Sequence, residues 1–298
     1  MKEPLKENLA DAIRFYKEKL YIKLLKKPFV FFNFLISDSL KKSSRKTAKL
    51  FWGDTMNVVL PEHVSSHIYK YGYFDEEVCF YLISLLEPGD SFMDIGSHFG
   101  FFSILAGYLV GKSGNIVSVD PTPSTVSILK ENIQNRNTGH FQIFQNAAFS
   151  HDTTLSFFDF GVEKSAYNSL IGSRLEKMDE ATLNQYRINV EAKTGDSLVE
   201  ASKINSLKLI KIDAESSEMQ VMEGLQETLK KFHPSVILEI GDTGSVETSA
   251  SLTLIHYLQN QGYKPYEYNG KDIVEHQILD NYDQKLLKCY NLLFQYKA

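Results

Sequence analysis

Seven consecutive residues, Asp94-Ile95-Gly96-Ser97-His98-Phe99-Gly100, carry most of the chemistry legible in this 298-residue chain. They fall where a short apolar stretch at 91–95 gives way to a helical pattern starting at Phe101. Glycines at 96 and 100 let the backbone turn tightly and come close to a ligand. The amino end of the helix behind them carries partial positive charge, suited to a carboxylate or a phosphate. A dinucleotide fingerprint spaces its glycines as G-x-G-x-x-G. Here three residues separate Gly96 from Gly100, and Asp94 precedes Gly96 by two. An acid at the end of the first strand repels a pyrophosphate. It suits a cationic amino group, such as the one on S-adenosylmethionine. The competing reading is a tight strand-to-helix turn that holds no ligand.

Further residues extend this reading. Asp120 ends a second strand, where a nucleotide-binding α/β unit places the carboxylate that accepts hydrogen bonds from ribose hydroxyls. Pro121 fixes the turn that follows. The same aspartate also reads as a helix cap. Asn146 and Ala147 end a third strand, where an amide side chain and backbone N–H groups can meet an adenine edge, although Asn at a strand end is also a common turn residue. Asp213 ends a fourth strand and faces the same cleft as Gly96. Glu215 and Glu218 follow at a helix start, where negative charge is favourable for structural reasons alone. Glu239 lies inside the apolar run VILEI, where a carboxylate is costly unless paired or facing a polar cleft. His98 reads either as a base or as a loop residue bonded to backbone. Tyr167 and Asn168, in a polar segment, are candidates for an acceptor pocket.

The elements that must position these residues alternate between strand and helix. Strands are expected at 91–95, 116–120, 141–145, 207–213 and 236–240, with helices at 101–109, 124–135, 218–231 and 248–261. Residues 263–268 and 290–296 read as a closing pair of strands. Alternation of this kind predicts an α/β fold, with a mostly parallel sheet covered by helices on both faces. The block 150–206 breaks the rhythm, and its strands at 154–160 and 187–193 read as an insertion over the functional edge. Ahead of the sheet, residues 1–74 read as a basic helical extension with a short strand near 56–60, and residues 75–298 as the main domain. Pro28 interrupts the first helix, the lysine-rich stretch 41–49 reads as a solvated linker, and a helix is expected at 75–86.

Charge is divided unevenly. Residues 1–50 hold 13 Lys and Arg against 5 Asp and Glu, while the whole chain is −5. The rest is therefore acidic and unsuited to nucleic-acid phosphates. Cys79 and Cys289 fit no metal or redox spacing, and a reducing, cytoplasmic setting is expected. The amino terminus lacks the apolar core of a signal peptide, and the longest apolar run falls far short of a membrane span. The cysteines show no C-x-x-C spacing, His151 and His233 read as surface or capping residues, and no G-x-S-x-G elbow is present. Neither a metal centre nor a Ser-His-Asp nucleophile is therefore expected. The basic arm has two readings. It packs on the domain or on a second subunit of a homodimer, or it touches anionic lipid through Lys23, Lys26, Lys27 and the aromatic cluster at 29–34.

The pieces EPGDSFMDIGSHFGFFS, VSVDPTPSTVSILKENIQN, NAAFS, LKLIKIDAESSEMQVMEG and PSVILEI, in this order, resemble the FkbM-type methyltransferases. The resemblance runs from about Val58 to about Ile240. Ser97 and His98 stand where that family usually has Ala and Asn, Asp120-Pro121 replaces Glu-Pro, and Ser216 stands where Gly is typical. It implies a Rossmann-like class I methyltransferase fold with a seven-stranded sheet, and S-adenosylmethionine as cofactor. It also implies O-methylation of a hydroxyl on a sugar, glycan or secondary metabolite. Asp213, Glu239 and His98 are then the catalytic candidates. Asp94, Gly96, Ser97, His98, Gly100, Asp120, Pro121, Asn146, Ala147 and Asp213 are the cofactor candidates, and Glu215, Tyr167 and Asn168 face the acceptor. Two alternatives stay open, a nicotinamide-dependent oxidoreductase and a cofactor-binding scaffold without catalysis.

Overall fold

The computed structural model describes residues 2–40, 43–134, 136–170, 179–215, 217–240, 249–277 and 290–297. In chain order the elements begin with α1 (Lys2–Lys17), α2 (Leu20–Lys26), α3 (Pro28–Leu40), β1 (Ser44–Lys49), β2 (Thr55–Leu60), α4 (His63–Tyr71) and α5 (Glu76–Leu85). The central part holds β3 (Ser91–Ile95), α6 (Phe101–Val110), β4 (Asn115–Val119), α7 (Pro123–Ile133), β5 (His140–Phe144), β6 (Ala147–Phe149), β7 (Thr153–Phe158), α8 (Glu180–Asn184), β8 (Arg187–Thr194) and α9 (Gly195–Ser202). The chain closes with β9 (Leu209–Ile212), α10 (Glu218–Glu223), α11 (Gln226–Phe232), β10 (Ser235–Ile240), α12 (Ser249–Asn260), β11 (Tyr263–Tyr268), β12 (Ile273–Glu275) and β13 (Tyr290–Tyr296).

The main sheet runs β12-β11-β13-β10-β9-β3-β4-β5. Strands β5, β4, β3, β9 and β10 pair in parallel, and β13 inserts antiparallel between β10 and β11. The seven expected strands are all present, and the short β12 adds an eighth at one edge. Side-chain alternation along each strand divides the core into two layers. Phe92, Ile116, Leu209, Ile237 and Leu293 face α5 and α6, while Met93, Val117, Ile210, Leu238 and Leu292 face the helices from α9 onward.

Strand order reverses between β3 and β9. One connection leaves β3 through α6 to β4, while β9 arrives on the other side of β3. Such a switch point opens a crevice at the carboxyl ends of the strands. The 150–206 block supplies β7 and β8, which join β6 in a separate three-stranded sheet, β6-β8-β7, beside that crevice.

Some expectations are corrected, and one helix was not expected. The stretch 41–49 is not a solvated linker over the residues described. Ser44–Lys49 pairs antiparallel with β2, and only Ala48 points into the core. A strand that buries one alanine has no apolar alternation to announce it. Helix α4 had no expectation. It starts at a buried Glu62, whose carboxylate accepts the N–H groups of Val64 and Ser65, and it stops at Gly72 in the left-handed region. The helix expected at 218–231 is two helices that break at Gly224. A Cβ there would lie 2.1 Å from the Phe149 carbonyl oxygen, so the break admits β6. The first helix ends at Lys17, well before Pro28, which instead starts α3 at a position where its missing N–H costs nothing.

The amino-terminal segment is joined to the rest by packing. Leu5 and Leu9 of α1 sit in the same buried cluster as Val78, Leu82 and Phe92. Asn132 of α7 accepts the N–H of Asn57 (2.7 Å) and donates to the carbonyls of Asn57 (3.0 Å) and Phe99 (2.9 Å). Its amide thus continues the β2 edge as a further strand would. Leu9→Ala should therefore cost about 2–4 kcal/mol in urea unfolding, the range for a buried leucine, and an exposed-helix value near zero would contradict this packing.

Candidate active site

The crevice at the switch point is a cavity of about 430 Å³, a size that suits a small-molecule cofactor or substrate. It is lined by Gly96, Ser97, His98, Asp120, Pro121, Asn146, Ala147, Tyr167, Asn168, Asp213, Glu215 and Glu239, so it gathers most of the candidates read from the sequence. Asp94 and Gly100 lie outside its wall.

Gly96 follows β3 at φ +75°, and an added Cβ would lie 2.0 Å from the Asp213 carbonyl oxygen. The turn after β3 and the end of β9 therefore touch, which only a glycine permits. The N–H groups of Gly96 and Ser97 both donate to the Val119 carbonyl, which ties this turn to the end of β4. Gly100 starts α6 at φ +91°, with Leu129 packed where a side chain would go.

Asp94 was expected to meet a cofactor amino group directly. Instead it is fully buried beneath the cavity. The sheet register sets it beside Ser118 on β4 and Lys211 on β9. The Ser103 hydroxyl of α6 donates to Asp94 Oδ2 (2.6 Å) and also meets Ser118 (2.8 Å). Lys211 Nζ lies 3.2 Å from Asp213 Oδ2 and 3.9 Å from Asp94 Oδ1, with its side chain 3% exposed. Burial works against the Lys211 charge, but Asp213 and Asp94 outweigh it and lift its pKa above the ordinary lysine value. Burial also raises the Asp94 carboxyl, and Lys211 and Ser103 oppose that rise.

Asp120 lines the cavity at the end of β4, beside the start of α7. Its Oδ1 accepts the N–H and hydroxyl of Thr122 and the hydroxyl of Thr125, which starts α7. Its Oδ2 accepts the His98 N–H (2.9 Å) at the cavity wall. A carboxylate has about four acceptor sites, so Oδ2 keeps capacity for a ribose hydroxyl. His98 itself sits at φ +49°, stacks on Phe99 and bonds the Ser165 hydroxyl through Nε2 (2.6 Å). That bond joins the turn after β3 to the insertion. Asn168, expected to face an acceptor, spends its amide within its own loop, accepting from Phe160 N–H and donating to Asp159. The neighbouring Tyr167 is exposed at the cavity mouth. Ser216 lies outside the described residues.

Asp75 and Asn291 also line the cavity, and sequence reading assigned them no chemistry. Asp75 caps α5 at φ +49°, where its Oδ1 accepts the Val78 N–H. Asn291 Nδ2 donates to its Oδ2 (2.6 Å). Burial pushes the Asp75 carboxyl up to about 6, with Lys211 pulling it down and Asp213 raising it. Asn291 pairs with Glu239 across β10 and β13, so a polar row closes this end of the cavity. Positive φ was a possible signal. Of the five non-glycine residues at positive φ among those described, Asp75, His98 and Glu215 line the cavity, a clustering typical of functional sites.

The site suits S-adenosylmethionine. The Ser97 hydroxyl is buried and lacks a hydrogen-bond partner among the described residues. Asp120 offers an acceptor at the end of the second strand, and Asp213 offers a negative charge at the end of the fourth. The sequence profile of the methyltransferase FkbM domain matches residues 94–265. The chain belongs to the FkbM methyltransferase family. Its cofactor is S-adenosylmethionine, and the nicotinamide reading is set aside. This FkbM chain is 26% identical to Methyltransferase 1 of Beauveria bassiana over 191 residues, 59% of this chain and 73% of that one. Methyltransferase FkbM of Methylobacillus flagellatus KT aligns over 80% of this chain and 56% of its own, at 10% identity and a TM-score of 0.42. This chain thus spans little more than half of that protein. An S-adenosylmethionine-dependent O-methyltransferase of Thermotoga maritima aligns over 88% of this chain and 82% of its own, at 10% identity and a TM-score of 0.40.

Because the folded Asp75 titrates near 6 and an unfolded aspartate near ~3.9, it favours folding fully below ~4 and loses that contribution as pH rises through 6. Asp75→Asn should therefore lower the melting temperature less at pH 8 than at pH 4, or raise it at pH 8. Equal shifts at both values would contradict the burial of this carboxyl.

Proposed function

We propose that this methyltransferase transfers its methyl group to a hydroxyl oxygen, on a sugar, glycan or secondary metabolite. The observation that carries the reading is the meeting of Asp75, Asp213 and Glu239 in one cavity with the turn after β3. A hydroxyl is a poor nucleophile until its proton leaves, and carboxylates of this kind can take it.

S-adenosylmethionine supplies the methyl group as an electrophile on a sulfonium. Asp120 Oδ2 would hold its ribose hydroxyls, and Ser97 and Asn146 would offer further polar contacts. Lys211 fixes one oxygen of Asp213, Oδ2, and leaves Oδ1 to orient the acceptor hydroxyl and receive its proton. Transfer of the methyl carbon to the acceptor oxygen would break its bond to sulfur, and the positive charge lost by the sulfonium would balance the proton taken up by Asp213. Asp75, with its raised proton affinity, is a second station for that proton. Val64, Ile68, Phe74 and Phe102 line the rest of the cavity and exclude water from the reacting atoms. Tyr167 and Glu215 stand where an acceptor reaches the mouth.

Two measurements test the assignment. Asp120→Ala should weaken S-adenosylhomocysteine binding about tenfold or more by calorimetry, the loss of charge-assisted hydrogen bonds. Asp213→Asn should lower kcat by about 10²–10⁴ against a panel of hydroxylated acceptors, with cofactor affinity changed far less. Full turnover by Asp213→Asn would remove it as the base.

A further inference from the structure

Ten of the twelve large apolar side chains most exposed among the described residues lie between Tyr16 and Leu40. Exposed apolar side chains are ordinary when scattered, but a contiguous group marks a surface that something covers. On α3, Phe29, Phe32, Ile36 and Leu40 recur at helical spacing, and Leu25 of α2 extends the stripe. Phe29 is 80% exposed and Leu25 78%. The opposite side of α3 is occupied. Phe31 and Ser37 are buried there, and Lys70 of α4 lies over the Phe34 ring. The helix is thus apolar on both sides, and on one side its apolar residues stay 41–80% exposed.

The surroundings of this stripe are cationic. Lys19, Lys23, Lys26 and Lys27 interleave with the apolar residues of α2. Among the described residues only Lys26 of these four pairs with a carboxylate, that of Glu18. Lys23 lies over the rings of Tyr16 and Tyr71, and Lys27 donates to a backbone carbonyl. Burial depresses Lys27 and Lys70, and the neighbouring Lys49 and Lys23 depress them further, so positive charge there is crowded. Two such faces brought together in a symmetric dimer would set lysine against lysine, which is unfavourable. An anionic surface that accepts both apolar side chains and ammonium groups satisfies every feature.

We propose that α2 and α3 form a monotopic docking face for a bilayer bearing anionic headgroups, with the apolar stripe immersed and the lysines at headgroup level. No helix among the described residues is long and apolar enough to cross a membrane, so the contact lies in the interface plane. Helix α3 packs on α4, and His63, Val64 and Ile68 of α4 line the cavity. Helix α4 therefore lies between the docking face and the methyl-transfer site, which fixes the site's height above the surface.

The test sediments the full chain with vesicles of phosphatidylcholine alone and with about 30% phosphatidylserine, at low and high salt. Binding to the anionic vesicles that falls with salt is expected. Phe29→Glu with Phe32→Glu should reduce it about tenfold or more, with circular dichroism and S-adenosylhomocysteine affinity unchanged. Equal recovery of the wild type in the supernatant with both vesicle types would overturn the proposal. So would a dimer in light scattering that the same double variant dissolves, without vesicle binding by the wild type.

Discussion

A buried lysine ammonium cannot stand alone, because removing it from water costs several kcal/mol unless fixed charges and hydrogen bonds replace the lost solvent. Lys211 meets this constraint with Asp213 on its own strand and Asp94 on the next. Asp94 is completed in turn by Ser103 at the start of α6. Compensation of one charge thus specifies the β3–β9 register, the seat of α6 and the turn between them. That turn carries Gly96, Ser97 and His98. The wall of the cavity is a consequence of how the sheet neutralises its own interior.

The same chain of contacts runs outward. His98 donates its N–H to Asp120 and bonds Ser165 through its ring, so the two loops that flank the turn are pinned to it. Asn132 holds both the β2 edge and the Phe99 carbonyl, which makes the amino-terminal hairpin part of the same support. Helix α4, packed beneath α3, contributes its inner face to the cavity. A methyltransferase must exclude water and hold two reactants in one geometry. Here apolar side chains such as Val64 and Phe102 line the cavity against water, and its polar groups are themselves fixed by hydrogen bonds.

Legibility followed the range of the signal. The parallel strands, the reversal of order and the glycine turn were readable because apolar runs and turn chemistry are local properties. Asp120, Asp213 and Glu239 were readable because each stands at or near the end of such a run. Strand β1 was not, since a segment with one inward alanine has no pattern of its own and takes its form from β2. The break at Gly224 was not, since it answers the approach of the Phe149 carbonyl from 75 residues away. Asn168 was legible as a residue of the mouth but not as one whose amide its own loop already occupies.

Residue types, their local spacing and the family they resemble were enough to name the fold, the cofactor and the strand ends that line the cavity. They could say that Asp94 is acidic and sits before a glycine turn, but not that Lys211 would lie beside it and draw it beneath the cavity. They could not bring Asp75 and Asn291 together, since 216 residues of chain separate them and only an antiparallel strand inserted into the sheet closes that distance. Nor could they show which side of α3 would be covered. Charge pairing, register and burial are properties of neighbours in space, and the fold chooses those neighbours.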